Sequence, residues 1–386
     1  MTAAGGRRIL VLNAGSSSLK FALFEGLTRG WHGQVEGLGS RPRFVPGDAP
    51  PAAAEPLPQQ TGHAAALEHI LRSLAARGVA LADISACGHR IVHGGACYVA
   101  PLVMDDANLA ALNALRVLAP LHNSPGLDTI AALSLIAPSL PQVACFDTAF
   151  HATQPEIASR YALPTALHDA GYRRFGFHGL NFEHVVSVIT ERTSPNPPAR
   201  LLIFHLGNGC SIAALRDGKS MATTMGYSTL DGLVMGTRCG SIDPGVLLAM
   251  QRDNAVKPDE LEDLLYRRSG LLGLSGKASD MRELERIDDE VCRFAIEHFC
   301  YWAARHAGSL AVALRGVDAI AFTGGIGVGS ATVRAKIIGH LTWLGFELDS
   351  ERNRRGERTL TAHDAPRPIW IVEADEERVI ARHVHA

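Results

Sequence analysis

Residues Ile9–Phe24 (I-L-V-L-N-A-G-S-S-S-L-K-F-A-L-F) and Leu201–Leu215 (L-L-I-F-H-L-G-N-G-C-S-I-A-A-L) are two versions of one pattern. In each, two apolar, β-prone runs flank a tip of small residues, which predicts a β-hairpin. A tip of Gly and Ser lets backbone N–H groups and hydroxyls close on an anion, and Lys20 adds a positive charge on the second strand of the first copy. Both tips suit phosphate. Setting His205 over Asn13 aligns Gly207 with Gly15 and Asn208 with Ser16, an offset of 192 residues (205 minus 13) in a chain of 386. Repetition after half the chain predicts a duplicated domain, each half offering its hairpin toward a shared cleft. Ile212 stands where this alignment would put a second lysine, so the halves do not play equal parts.

The length allows two domains, each large enough to bury its own core. A formal net charge of −2 supplies no basic field for nucleic acid, and no block of like charges marks a membrane-surface patch. Met1–Arg8 is followed by only four strongly apolar residues before Asn13, too few for a signal-peptide core, and no apolar run of about 18 residues occurs. Seven scattered cysteines without a C-x-x-C pair point to neither a disulfide framework nor a zinc site, and fit a reducing cytoplasm.

Between the hairpins, six prolines across Arg41–Gln60 argue against regular structure there. His63–Arg77 has helical spacing of Leu67, Ile70, Leu71 and Leu74, and Ala86–Val92 reads as a strand. A helix carrying Leu109, Leu112, Leu115 and Leu118 stops at Pro120, Leu121-His122-Asn123 reads as a turn, and a further helix runs from about Gly126 to before Pro138. The strand Gln142–Phe146 delivers Asp147. In the second half, helices are expected at Pro258–Arg268 and Arg286–Leu314, the latter with Val291, Phe294, Phe299, Trp302 and Leu310 facing the core. Ala319–Thr323 is a strand opening into a glycine turn, Gly324–Gly329, and a helix from Ser330. A last strand, Ile369–Val372, precedes a helix begun by Asp375 or Glu376. Alternating strands and helices predict α/β architecture with a largely parallel sheet covered on both faces.

In order along nearly the whole chain stand N-A-G-S-S-S-L-K, H-R-I-V-H-G-G, P-L-H-N, F-D-T-A-F-H, G-F-H-G, H-L-G-N-G, G-T-R-C-G-S-I-D-P-G, S-D-M-R and T-G-G-I-G. This set resembles the acetate kinase family of acyl-phosphate-forming kinases. The resemblance implies a duplicated actin-like fold (the acetate and sugar kinase/actin superfamily, ribonuclease H-like) of two domains with a central cleft. Divided by that likeness, the N-terminal domain is residues 1–148 plus 375–386 and the C-terminal domain 149–374. It also implies a cytoplasmic homodimer, Mg²⁺ (or Mn²⁺) dependence, and reversible transfer of the ATP γ-phosphate to acetate.

Moving a phosphoryl group between ADP and a carboxylate brings two anions together, so concentrated positive charge is needed. By resemblance, Arg90 binds the carboxylate, Arg238 stabilises the transferring group, and His178 bonds its equatorial oxygens, with His122 nearby. Asp147 takes the family's acid/base position. Acetate is already ionised at neutral pH, so Asp147 is better read as organising Mg²⁺ and its waters, with Asn13 and Glu376 at the metal-associated positions. The carried-over nucleotide contacts are Lys20, the hairpin His205, Leu206, Gly207, Asn208 and Gly209, the segment Asp280, Met281 and Arg282, and the loop Gly325, Ile326, Gly327, Val328 and Gly329. Val92, Leu121 and Phe177 match the apolar acyl-pocket positions.

The chain departs from the family pattern in four places. G-I-G-E-N becomes Gly325-Ile326-Gly327-Val328-Gly329, N-E-E becomes Asp375-Glu376-Glu377, G-D-I-D-P becomes Gly240-Ser241-Ile242-Asp243-Pro244, and Thr229 replaces a pocket proline. The first bears on nucleotide affinity, the last on acyl selectivity. One methylene in such a pocket is worth about 1–3 kcal/mol, so a propionate kinase is the alternative. A non-catalytic ATP-binding module would have no reason to keep Arg90, Asp147, His178 and Arg238 together.

Overall fold

The computed structural model describes residues 7–47, 54–118, 120–253 and 256–386, with the side chains of residues 117–122 outside the described set. The side chains of two expected site residues, Leu121 and His122, therefore lie outside the described set. The chain forms two compact units, Met1–Ala149 with Asp375–Ala386, and Phe150–Ala374.

In the first unit the strands are β1 (Arg8–Gly15), β2 (Ser18–Glu25), β3 (Thr28–Glu36), β4 (Arg43–Pro46), β5 (Glu55–Pro56), β6 (Ala86–Ile91), β7 (Leu102–Val103) and β8 (Gln142–Phe146). They form one sheet in the order β5-β4-β3-β2-β1-β6-β8-β7. In the second unit β9 (Arg200–Leu206), β10 (Cys210–Arg216), β11 (Lys219–Thr223), β12 (Ala319–Thr323) and β13 (Ile369–Ile371) form a sheet ordered β11-β10-β9-β12-β13. The repeat is the same in both: three antiparallel strands joined by hairpins, then two strands parallel to the first. The sheets are thus mixed rather than largely parallel, because tight tips such as Ser16-Ser17 can join only antiparallel neighbours.

The two hairpins differ in register by one residue. Asn13 pairs with Lys20, whereas His205 pairs with Ser211, six residues on instead of seven. The position facing the first strand is therefore filled by Lys20 in one copy and Ser211, not Ile212, in the other.

Period-two alternation divides the first sheet's side chains. Leu10, Leu12, Phe21 and Leu23 pack on Leu67, Ile70 and Leu74 of the helix His63–Ala76, which leaves Asn13, Lys20, Gly88 and Arg90 on the other face. The C-terminal helix Glu376–His385 presses on that face: a Cβ on Gly88 would lie 2.4 Å from Ile380 Cγ2 and 2.8 Å from Val384 Cγ2. Only glycine permits this approach, which brings Glu376 to the end of β6. In the second unit Ile203, Ala213 and Leu215 pack with Phe182, Val185 and Ile189 of the helix Gly179–Thr193.

Several local expectations are corrected. The proline-rich stretch contributes β4 and β5 at the sheet edge, where Pro46 and Pro56 leave no ladder donor missing in the interior; residues 48–53 lie outside the described set. The turn expected at Leu121-His122-Asn123 is part of a helix, Pro120–Ile136, since proline is preset for a first helical position. The expected glycine turn is itself a helix, Gly324–Gly329. Val291 and Phe294 are exposed, at 46% and 56%, while Phe299 and Leu310 are buried. The helix Pro244–Asp253 went unforeseen; it buries no residue, and its Val246 and Leu248 are exposed.

Candidate active site

Asn13, Arg90 and Asp147 stand at the carboxyl ends of three neighbouring parallel strands. Leu12 is in register with His89 and Arg90 with Cys145, and Asp147 N donates to Ile91 O at 3.0 Å. This is where an α/β sheet gathers functional side chains. Arg90 Nε and Nη2 both donate to Asp147 Oδ2, at 2.9 and 2.5 Å, and Nη1 donates to Asn13 Oδ1 at 3.2 Å. Three of the guanidinium's five N–H groups are engaged in this way, leaving two for a ligand.

Further acids crowd Arg90. Glu376 Oε2 lies 3.5 Å from Arg90 Nε, and Asn13 Nδ2 donates to Glu376 Oε2 and Glu377 Oε1, both at 3.1 Å. Three consecutive carboxylates open the terminal helix, where its dipole favours them. Arg29, on β3, donates to Asp375 and to Glu377 Oε2, the latter at 3.2 Å. Sequence reading missed Arg29; the signal was the acidic triplet itself, which needs a cation. Burial works against the Arg90 charge, but Asp147 and then Glu376 outweigh it, and its pKa rises above the ordinary arginine value. Asp147 is fully buried, so its charge depends on this pairing.

These oxygens fit a magnesium ion. Asn13, Asp147 and Glu376 are all gathered on one guanidinium and form an all-oxygen set of the kind that holds Mg²⁺ through retained waters. Among the described residues no three His, Cys, Asp or Glu side chains cage a metal by themselves. Lys20, expected at the nucleotide, belongs to the first unit, where with Arg29, His32 and Glu377 it lines a cavity of about 250 Å³. Val92 is buried there, and Phe177 is buried in the second unit.

In the second unit, His178 caps the helix Gly179–Thr193 in a left-handed conformation, φ 59°. For a residue with a side chain that costs about 1–3 kcal/mol, and it aims the ring at the second hairpin. A Cβ on Gly209 would lie 3.1 Å from His178 Nε2 and 3.7 Å from Arg238 Nη1. Two cationic or hydrogen-bonding groups thus converge over bare backbone. His178 Nδ1 meets Ser211 Oγ at 2.9 Å, and the ring stacks on His205 at 4.0 Å. His205 Nδ1 in turn meets Asn181 Nδ2 at 2.7 Å.

Arg238 is held by its own loop. Nη1 donates to Thr229 O at 3.1 Å, and Asp231, bound by Arg174 Nη1 at 2.7 Å and Ser241 Oγ at 2.7 Å, braces the loop's base. Burial lowers the Arg238 pKa, with Tyr266 and Cys210 opposing. An arginine so desolvated gains from an anion.

Beside the tip lies a cavity of about 350 Å³, lined by Gly207, Asn208, Asp280, Met281, Arg282, Gly325, Ile326 and Gly329, together with Ser279 and Ser330. Of the other expected nucleotide residues, Leu206 and Gly327 are buried. Val328 O and Gly327 O accept from Arg334 Nη1, at 2.7 and 2.9 Å. Arg334 is buried and also donates to Asn353 Oδ1 and O, at 2.8 and 2.9 Å. Burial lowers its pKa to about 10, with Glu285 opposing. No motif announced Arg334, Asn181 or Ser211, because their work is to hold other groups.

Residues 8–382 match the sequence model of the Acetokinase family. The chain belongs to that family. It is 44% identical over 385 residues to the acetate kinase of Nitrobacter hamburgensis, covering 97% of this chain and 95% of the relative. It is 43% identical over 387 residues to that of Rhodopseudomonas palustris, covering 97% of each. Among solved structures, a propionate kinase from Francisella tularensis superposes with a TM-score of 0.90 at 35% identity, and the acetate kinase of Porphyromonas gingivalis with 0.87 at 33%, each covering 98% of both chains. The two-domain α/β fold of this acetokinase is the one those enzymes share.

Proposed function

We propose that this acetokinase is an acetate kinase, transferring the ATP γ-phosphate reversibly to acetate to give acetyl phosphate and ADP. The observation that carries the reading is the convergence of His178 Nε2 and Arg238 Nη1 over Gly209, at a hairpin tip that also lines the glycine-floored cavity.

The nucleotide occupies that cavity, and Arg238 and His178 meet the charge that builds on the moving phosphoryl oxygens. Arg90 orients the carboxylate through its two remaining N–H groups, with Val92 of the same unit beside the acyl chain. The carboxylate is already the nucleophile at neutral pH, so no side chain need remove a proton. Asn13, Asp147 and Glu376 would hold Mg²⁺, or Mn²⁺ in its place, which when bound supplies neutralising charge for the phosphates.

Thr229, buried beside Arg238, stands where the family pattern has a pocket proline and so bears on acyl selectivity, which leaves propionate as the second reading. Trapping the product with hydroxylamine across C1 to C4 carboxylates, with ATP and Mg²⁺, tests both. A maximum at C2 supports acetate; a maximum at C3 or C4 moves the assignment; no product with any acid leaves a binding module.

A second copy of the chain is the partner we assign to one apolar surface. Phe294, Tyr301 and Gly308 recur every seven residues on the helix Glu290–Leu314, Phe294 and Tyr301 are 56% and 48% exposed, and Trp343, 67% exposed, sits against Gly308. We place the enzyme in the cytoplasm, where its seven free cysteines suit a reducing compartment; no described helix is long and apolar enough to cross a membrane.

A further inference from the structure

His205 and His178 stack with their rings 4.0 Å apart and 12° from parallel. Arg238 Nη1 approaches the same glycine as His178 Nε2. Two imidazolium ions at that separation, beside a guanidinium, repel one another strongly, so the pair carries at most one extra proton. A neutral imidazole has one N–H, and the partner of the other nitrogen decides where it sits.

For His205 that partner is Asn181. Its Nδ2, which only donates, lies 2.7 Å from His205 Nδ1. Nδ1 is then the acceptor and the hydrogen sits on Nε2, the nitrogen facing the tip: a Cβ on Gly207 would lie 3.8 Å from it. Gly207 lines the cavity. Asn181 is fully buried, and Thr323 Oγ1 accepts from the same Nδ2 at 3.3 Å. Around the stacked pair stand Asn181 from the helix, Ser211 from β10, Thr323 from β12 and Arg238 from its loop; of these only Arg238 is charged.

We propose that Asn181 is a positioning residue that holds His205 as the neutral Nε2–H tautomer, so that His205 offers phosphate a hydrogen-bond donor without competing with His178 for positive charge. The proposal rests on the reading that the Gly207–Gly209 tip takes phosphate. Turned over, the same amide would present its oxygen to Nδ1 and draw the hydrogen there, which is what makes the assignment testable.

The test is nitrogen NMR on the full-length protein labelled with ¹⁵N-histidine, His205 being assigned with a His205→Gln variant. The expected spectrum shows a hydrogen-bearing Nε2 and a bare Nδ1 for His205 at neutral pH. Asn181→Asp, which places an acceptor at Nδ1, should move the hydrogen to Nδ1 and raise the KM for ATP by about tenfold, with the KM for the carboxylate unchanged. A wild-type His205 protonated on Nδ1, or an Asn181→Asp variant that moves the hydrogen without changing the KM for ATP, would overturn the proposal. If Asn181→Asp does not fold, the wild-type spectrum alone decides. Absence of acyl phosphate from the wild type would overturn the function proposed above instead, and the spectrum would still decide the tautomer.

Discussion

Arg90 grips Asp147 side-on, Nε and Nη2 both reaching Oδ2 at 2.9 and 2.5 Å, and Asp147 has no exposed surface at all. The pair joins the ends of β6 and β8 and makes each charge a condition for burying the other. Arg90→Ala should therefore lose stability as well as activity. Leaving a buried carboxylate without its cation costs about 3–5 kcal/mol, so urea unfolding should show a clear fall. Arg90→Ala paired with Asp147→Asn should recover part of it. A single variant as stable as the wild type would mean that the pair does not hold the sheet ends together.

Arg238 has a different signature. Its loop is braced by Asp231 and Arg174, and its anionic partner exists chiefly during transfer. Arg238→Ala should lower kcat by about 10²–10³-fold while sparing the KM for ATP. Steady-state kinetics with ATP varied at saturating carboxylate separates the two. Near-wild-type turnover would remove Arg238 from the reaction.

Gly209 carries a steric prediction. Its backbone is in a region open to any residue, yet an added methyl would meet His178 Nε2 at 3.1 Å. Gly209→Ala should leave the melting temperature within a few degrees and reduce kcat by about tenfold or more, since displacing positioned groups slightly has large effects on rate. A folded, fully active variant would show that His178 need not stand where it does.

Arg334 should affect the nucleotide and not the carboxylate. Arg334→Met strips the donors from Gly327 O, Val328 O and Asn353. Each buried acceptor left unsatisfied costs about 1–3 kcal/mol. The glycine helix has four glycines in six residues and little helical preference of its own. The expected outcome is a lower melting temperature and a raised KM for ATP, with the KM for acetate unchanged.

Acid should weaken the fold through two histidines. Burial lowers the pKa of His89 and of His151 from 6.5 to about 4, opposed by hydrogen bonds with Gln142 and Phe177 O respectively. Both are neutral when folded but take up protons when unfolded below about pH 6.5. Their contribution is thus complete above that pH and is lost as pH falls from 6.5 toward 4. Urea unfolding across this range should show the decline, and it should be shallower in His151→Gln, whatever that variant's stability at pH 7. An equal slope in both proteins would contradict the assignment.

The repeat was legible because each hairpin pairs apolar runs with a small-residue tip, a pattern that survives without any tertiary information. Asp147 could be picked out because it ends an apolar strand run, whereas Asn13 and Arg90 were carried over from the family's motifs. What the linear pattern hid was contact at a distance. Arg29 is 346 residues from Asp375, which it binds, and Asn181 is 24 residues from His205. The helix at Gly324–Gly329 was unreadable because glycine disfavours helix, and the buried Arg334 that secures it sends no local signal. Phe294 misled because an apolar residue at helical spacing looks the same whether it faces a core or an exposed surface.

Attack of a carboxylate oxygen on phosphorus is tested most directly with acetate carrying ¹⁸O in both oxygens. Incubated with the enzyme, ATP and Mg²⁺, it should yield acetyl phosphate whose ³¹P resonance shows the isotope shift of one ¹⁸O bonded to phosphorus. Acetyl phosphate without that shift, or no acyl phosphate at all, would contradict it.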